Sequence, residues 1–158
     1  MENDDATFIG TGTPADTALA REDIVALFNR RQEAWEDLDA AALAADYADN
    51  VVIESPMAGV HRGRAAAEQA LRTAFSAFVD LKMKTESLII DGNLVAQVVS
   101  GEGTHIGEFL GLPPTGKPFR LRAVLLHELE GGKIVRERRI YDFTGLLMQI
   151  GALKAKPI

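Results

Sequence analysis

Hydrophobic and polar positions alternate most clearly near the end of the chain. Leu121, Ala123, Leu125, His127 and Leu129 recur every second residue, while Arg120, Arg122, Glu128 and Glu130 fall on the opposite face. That period belongs to a strand with one buried face. The run breaks at Gly131-Gly132 and resumes through Tyr141, so Phe119 to Asp142 reads as a long hairpin, glycine supplying the positive φ of its turn. Its register decides which side chains share the Leu125 face. A two-residue Gly-Gly turn opposes Glu130 to Lys133 and brings Arg136, Arg138, Ile140 and Asp142 onto that face. A three-residue loop with a glycine bulge opposes Leu129 to Lys133 and brings Val135, Glu137, Arg139 and Tyr141 instead. The pattern by itself leaves both open.

Upstream, Ile24, Leu27, Phe28, Arg31, Trp35 and Leu38 follow helical spacing, and Thr13-Pro14-Ala15-Asp16 has the form of a helix start. Asp39 is placed to cap a short alanine-rich helix running to Tyr47. Val51 to Ser55 reads as a strand closed by Pro56. After the glycines of AGVHRG, the spacing of Ala67, Leu71, Phe75 and Phe78 predicts a third helix. Leu81–Ile90 and Leu94–Phe109 read as strands around Asp91-Gly92-Asn93. Leu110 to Pro118 is a proline- and glycine-rich loop, and Thr144–Ile150 a short terminal helix. Helix, helix, strand, helix and four strands predict an α+β fold: a cone-shaped, curved, mixed or antiparallel sheet packed against three helices, with a short C-terminal helix. Residues 1–12 are polar and read as a flexible N-terminal arm, and 13–158 as a single domain.

Composition narrows the partners. The chain has 158 residues, 47% hydrophobic and 25% charged, with no cysteine and a formal charge of −6. Thiolate chemistry and disulfides are excluded, and an acidic chain argues against nucleic acid. No apolar run approaches the roughly 18 residues of a membrane helix, and the acidic start MENDD is unlike a signal peptide. The expectation is a cytoplasmic protein that binds neither nucleic acid nor membrane. His61, His105 and His127 lack the close spacing of a helical metal pair, so no metal is expected.

Three segments carry a family resemblance: DYADNVVIESP followed by HRGR, GTHIGEFLGLPPTGKPF, and GGKIVRERRIYDFTGLLMQIG. Together, over roughly Ile24 to Gly151, the chain resembles the SnoaL-like polyketide cyclases of the nuclear-transport-factor-2-like superfamily. The resemblance implies an intramolecular aldol closure of polyketides without cofactor. It also implies an acid on the last strand, a supporting histidine on the strand before it, and a homodimer. Counting from the glycine-lysine-isoleucine turn, the acid falls on Arg139 and the histidine on Leu125, and neither can transfer a proton near neutral pH. Asp142 matches another aspartate of the pattern. Placing Leu125 and Arg139 in a cavity favours the bulged register. Two other branches fit less well. Ser55 stands where steroid isomerases carry their aspartate base, and Arg30 and Arg31 where they carry a tyrosine. Arg120 and Arg122 lack the acid of the epoxide hydrolases.

The candidates for chemistry are His105, His127, Glu137, Arg139, Tyr141 and Asp142. His105 and His127 are possible proton shuttles, the plainer roles being a loop-pinning hydrogen bond and a satisfied core residue. Glu137 and Arg139 make either a structural ion pair or a site in which the guanidinium stabilises an enolate or carboxylate. Tyr141 is a hydroxyl donor or simply packing, and Asp142 an acid or a helix N-cap. Phe28, Trp35, Ser55, Met57, Ala123 and Leu125 are the candidate lining, core packing being the alternative for each. Glu54 is expected to point outward. The expectation is a cofactor-independent protein acting by acid/base chemistry on a small, largely apolar carbonyl compound, as a cyclase, isomerase or hydrolase does. The alternative is a non-catalytic binder on the same fold.

Overall fold

A computed structural model describes residues 19–154 and 156. Helix α1 spans Arg21–Glu36, α2 Ala40–Ala45, α3 Arg64–Ala77 and α4 Phe143–Gln149. The strands are β1 Tyr47–Ser55, β2 Gly59–Arg62, β3 Lys82–Asp91, β4 Leu94–Thr104, β5 Pro118–Glu130 and β6 Lys133–Tyr141. They form one sheet in the order β2-β1-β6-β5-β4-β3, with β1 and β6 parallel and all other neighbours antiparallel. The architecture is α+β: a mixed, curved, unclosed sheet with helices against its inner face.

The predicted order holds, with four corrections. AGVHRG contains a strand, β2, pairing with β1 through Ile53 and His61. Tyr47 opens β1 rather than closing α2. Strand β4 ends at Thr104, so His105 lies in the loop beyond it. Helix α1 begins at Arg21, after an extended Ala20, and the proposed start at Thr13 and the arm at 1–12 lie outside the described residues. The capping expectations at α2 and α4 hold: Asp39 accepts from the Ala42 N–H and Asp142 from the Gly145 N–H. Such caps contribute about 1 kcal/mol each.

The β5–β6 hairpin combines parts of both anticipated registers. Glu130 opposes Lys133 across a two-residue turn in which Gly131 and Gly132 have φ of 54° and 79°. The pairing then shifts at Val135, so that His127 opposes Glu137, Leu125 opposes Arg139 and Ala123 opposes Tyr141. The extra residue sits inside β6 and not in the turn. A further register shift in β3, between Thr85 and Ser87, adds to the curvature that bulges impose on a sheet.

The inner face is covered in two parts. Ile24, Leu27 and Phe28 of α1, Leu43 of α2, Leu71 and Phe75 of α3, and Val51, Ile53, Val95 and Ile134 of the sheet form the larger core. Each fully buried side chain of this size contributes roughly 1.5–3 kcal/mol. Phe78, Phe109, Phe119, Leu146 and Ile150 form a second cluster beneath α4. At Gly101 and Gly103 a Cβ would stand 2.6 Å from Met83 Sδ and 3.0 Å from the Phe119 ring, so glycine lets those side chains lie over β4. Both then reach the space between the two clusters.

Candidate functional site

Between the clusters the inner face opens into a pocket of about 450 Å³, a size suited to a small organic ligand. Its wall is mostly apolar: Trp35 of α1, Leu71 and Ala74 of α3, Met83 of β3, and Leu121, Ala123 and Leu125 of β5, with Phe78, Phe109 and Phe119. Met57 and Leu110 contribute from loops. Polar groups are few. Ser55, His61, Gln69, Thr73, Arg139 and Tyr141 supply them, and among the described residues Arg139 is the only fully charged side chain in the lining. The Ser55 and Tyr141 hydroxyls lie 3.4 Å apart.

Arg139 is held from behind. Its Nε donates to Glu137 Oε1 at 2.6 Å, and its side chain is 17% exposed against 1% for Glu137. Glu137 Oε2 accepts from the Tyr47 hydroxyl at 2.8 Å. Arg31, itself 3% exposed, donates to that hydroxyl at 3.2 Å and to the Leu43 carbonyl at 2.8 Å, at the C-terminal turn of α2. Burial pushes the Glu137 carboxyl up, but the Arg139 guanidinium beside it, with Arg31 behind, holds it well below the usual carboxylate range. Burial lowers the Arg139 pKa, while Glu137 and Tyr47 outweigh it, so the guanidinium stays charged. Tyr47 is raised by burial and by Glu137, and stays a neutral donor.

His127 sits on the other side of Glu137, its Nδ1 3.4 Å from Oε2. A directional hydrogen-bond chain sets its tautomer. The Thr85 amide and hydroxyl both donate to Gln32 Oε1, and Gln97 Nε2 donates to Thr85 Oγ1 at 2.8 Å. That turns Gln97 Oε1 toward His127 Nε2, 3.1 Å away, which therefore donates. Burial lowers the His127 pKa, with Glu137 pulling the other way, so the ring is neutral at pH 7 with its proton on Nε2. Phe28 packs edge-on against it at 4.9 Å.

Of the sequence candidates, Trp35, Ser55, Met57, Ala123, Leu125, Arg139 and Tyr141 meet in the pocket. Five do not line it. Phe28 is 1% exposed and belongs to the core. His127 and Glu137 share the face of the wall but lie deeper, each 1% exposed, beneath α1. His105 is fully buried beside the loop it pins: its amide donates to the Lys117 carbonyl, its carbonyl accepts from the Gly116 amide, and Nδ1 lies 3.1 Å from Thr115 Oγ1. Asp142 caps α4. Sequence reasoning missed His61 as a pocket residue, because a four-residue strand between glycines shows no alternation. It also missed Arg31 and Tyr47, whose roles depend on contacts between elements far apart in the chain.

Two buried groups set an expected pH dependence of stability. The His127 pKa lies below 6.5 in the fold, and that of Glu137 well below 4.5. The unfolded chain therefore binds more protons as pH falls, and stability drops, first below about 6.5 and more steeply below about 4.5. Urea midpoints across pH should show both limbs, and His127→Gln should shrink the upper one to the part left by His61, whose pKa is lowered as well. A parent midpoint unchanged between about pH 7.5 and 5.5 would contradict the assignment.

An open, curved α+β sheet with helices against its inner face is the nuclear-transport-factor-2-like fold. The SnoaL-like polyketide cyclase family model matches residues 25–150, and the chain belongs to that family. Nogalonic acid methyl ester cyclase of Streptomyces nogalater is 31% identical over 108 residues, 67% of this chain and 78% of that one. Among solved structures, AclR of Streptomyces galilaeus, a candidate hydroxylase, has 25% identity and a TM-score of 0.74, covering 87% of this chain and 91% of its own. IdmH of Streptomyces antibioticus, a candidate polyketide cyclase, has 27% identity and a TM-score of 0.68, with coverage of 80% and 97%.

Proposed function

We propose that this protein is a cofactor-independent catalyst that binds a small, largely apolar carbonyl compound in the inner-face pocket. Acid/base chemistry there leads to cyclisation, isomerisation or hydrolysis. One observation carries the reading: a mostly apolar wall presents a single guanidinium, Arg139, whose Nε is already fixed by Glu137. A cation fixed in that way is preorganised for negative charge developing on a ligand oxygen. The cyclase relative is named for an ester substrate, which supports a carbonyl-bearing ligand. The matching that puts Arg139 and Leu125 at the family's acid and histidine positions supports a rearranged set of proton-transferring groups.

That same replacement favours the second reading, a non-catalytic binder, in which Arg139 clamps an anionic ligand. A screen of carbonyl compounds and carboxylates, followed by binding and turnover assays on an Arg139 variant, separates the two. An enzyme loses turnover, and a binder has none to lose. A variant that matches the parent in both assays puts the site elsewhere.

The outer face of the sheet supports a further part of the proposal, self-association as a homodimer. Val60, Ile89 and Ile140 are 51%, 63% and 52% exposed there. They stand among the ion pairs Arg120–Glu102, Arg122–Glu86 and Arg138–Glu54. Exposed apolar side chains amid charge pairs suit an interface between like copies. Sedimentation should give a dimer at micromolar concentration, and a stable monomer would remove this part.

A further inference from the structure

We propose that His61 is the proton-transferring base of the pocket, removing a proton from the carbon beside the ligand's carbonyl while Arg139 receives the enolate oxygen. This rests on the reading of the pocket as a carbonyl site.

Placement comes first. Ile53 of β1 pairs with His61 on one side and with Glu137 on the other, so the three form one row across the inner face. Arg139 lies two residues along β6 from Glu137, on the same face, and both His61 and Arg139 line the pocket. His61 therefore approaches a ligand from the β2 edge and Arg139 from the middle of the sheet.

Elimination comes second. His105 and His127 are sealed, Glu137 is buried and engaged by Tyr47 and Arg139, and Asp142 caps a helix. Arginine does not accept a proton from its charged form. Ser55 and Tyr141 are hydroxyls paired with each other. Among the described lining residues, His61 alone can take up a proton near neutral pH.

The state of the ring suits the task. No hydrogen bond to the His61 ring is found among the described residues, so both ring nitrogens are available to a ligand. Burial, and then the Arg139 charge, lower its pKa. The other polar groups around the pocket are the Tyr141, Ser55 and Thr73 hydroxyls and the Gln69 amide, and Arg139 is the only fully charged one. His61 is thus in its basic form at pH 7.

The step balances without an oxidant or co-reactant. A ring-nitrogen lone pair takes the α-proton. The C–H electron pair becomes the C=C bond, and the carbonyl π pair moves to oxygen, where the guanidinium N–H groups hold it. In a ligand with a β,γ-double bond the enolate extends to a dienolate, and returning the proton to its γ-carbon gives isomerisation. Attack of the enolate carbon on a second carbonyl of the same molecule closes a ring, and the imidazolium protonates the new alkoxide. Either route restores neutral His61.

The test uses two apolar probes that match the chemistry, β-tetralone as carbon acid and naphthoate as anion. The parent should accelerate exchange of the β-tetralone α-protons in deuterated buffer, followed by proton NMR. His61→Gln should lose on the order of 100-fold or more of that acceleration while binding naphthoate within about threefold of the parent. The parent rate should rise with pH through one apparent pKa below 6.5, and that limb should vanish in the variant. His61 is partly exposed on an edge strand, so the substitution leaves the core untouched. Exchange at the parental rate in His61→Gln overturns the proposal, as does a parent that accelerates no exchange while binding naphthoate through Arg139. If naphthoate binding does not depend on Arg139, the carbonyl-site reading itself fails, and the proposal falls with it.

Discussion

Glu137→Ala should cost roughly 3–5 kcal/mol of folding free energy, the range for removing one partner of a buried ion pair. The carboxylate is 1% exposed and satisfies two donors at once, Arg139 Nε and the Tyr47 hydroxyl. Alanine leaves a guanidinium that is 17% exposed without its counter-charge and a buried hydroxyl without its acceptor. It also opens a space beside His127. For a domain of this size the loss corresponds to a fall in Tm of about 6–20 °C. Glu137→Gln should lie between parent and alanine variant, because an amide oxygen still accepts from Tyr47 but carries no charge for Arg139. Thermal unfolding by circular dichroism reads the series. An alanine variant melting within about 3 °C of the parent would show that the pair is not the buried support described.

Arg139 variants should separate support from chemistry. Arg139→Lys keeps a positive charge but has no planar fork and no Nε bond to Glu137. Turnover on any substrate the parent accepts should fall on the order of 100- to 1,000-fold, as for loss of one preorganised donor to a developing oxyanion. Arg139→Ala should lose turnover and stability together, since it strands the Glu137 carboxylate in the core. The double variant Glu137→Gln/Arg139→Met removes both charges, so it should recover much of that stability and none of the turnover. Unfolding curves and steady-state rates on the same four proteins make the comparison. A double variant as active as the parent would refute a role for the guanidinium.

Much of the architecture was legible in the chain because it follows from local periodicity. The 3.6-residue spacing of Ile24, Leu27, Phe28 and Arg31 places α1, and the alternation from Leu121 to Leu129 places β5. The residue types at Asp39, Asp142 and Gly131-Gly132 mark two caps and a turn. Each signal is a short-range preference of the backbone, so a window of a few residues holds it.

The site was only partly legible. Alternation tells which face a side chain occupies, yet His127 and Leu125 share a face and differ in fate. Phe28 of α1 lies against the first and seals it, while the second meets the pocket. The shift at Val135 that brings Arg139 inward has no mark in the sequence, because a bulge is stabilised by both strands together. Sequence alone determined the elements other than β2, and the residue types available for chemistry. Tertiary structure decided depth, pairing and the recruitment of His61 from β2, because burial and charge pairing depend on segments that meet only when the sheet curves.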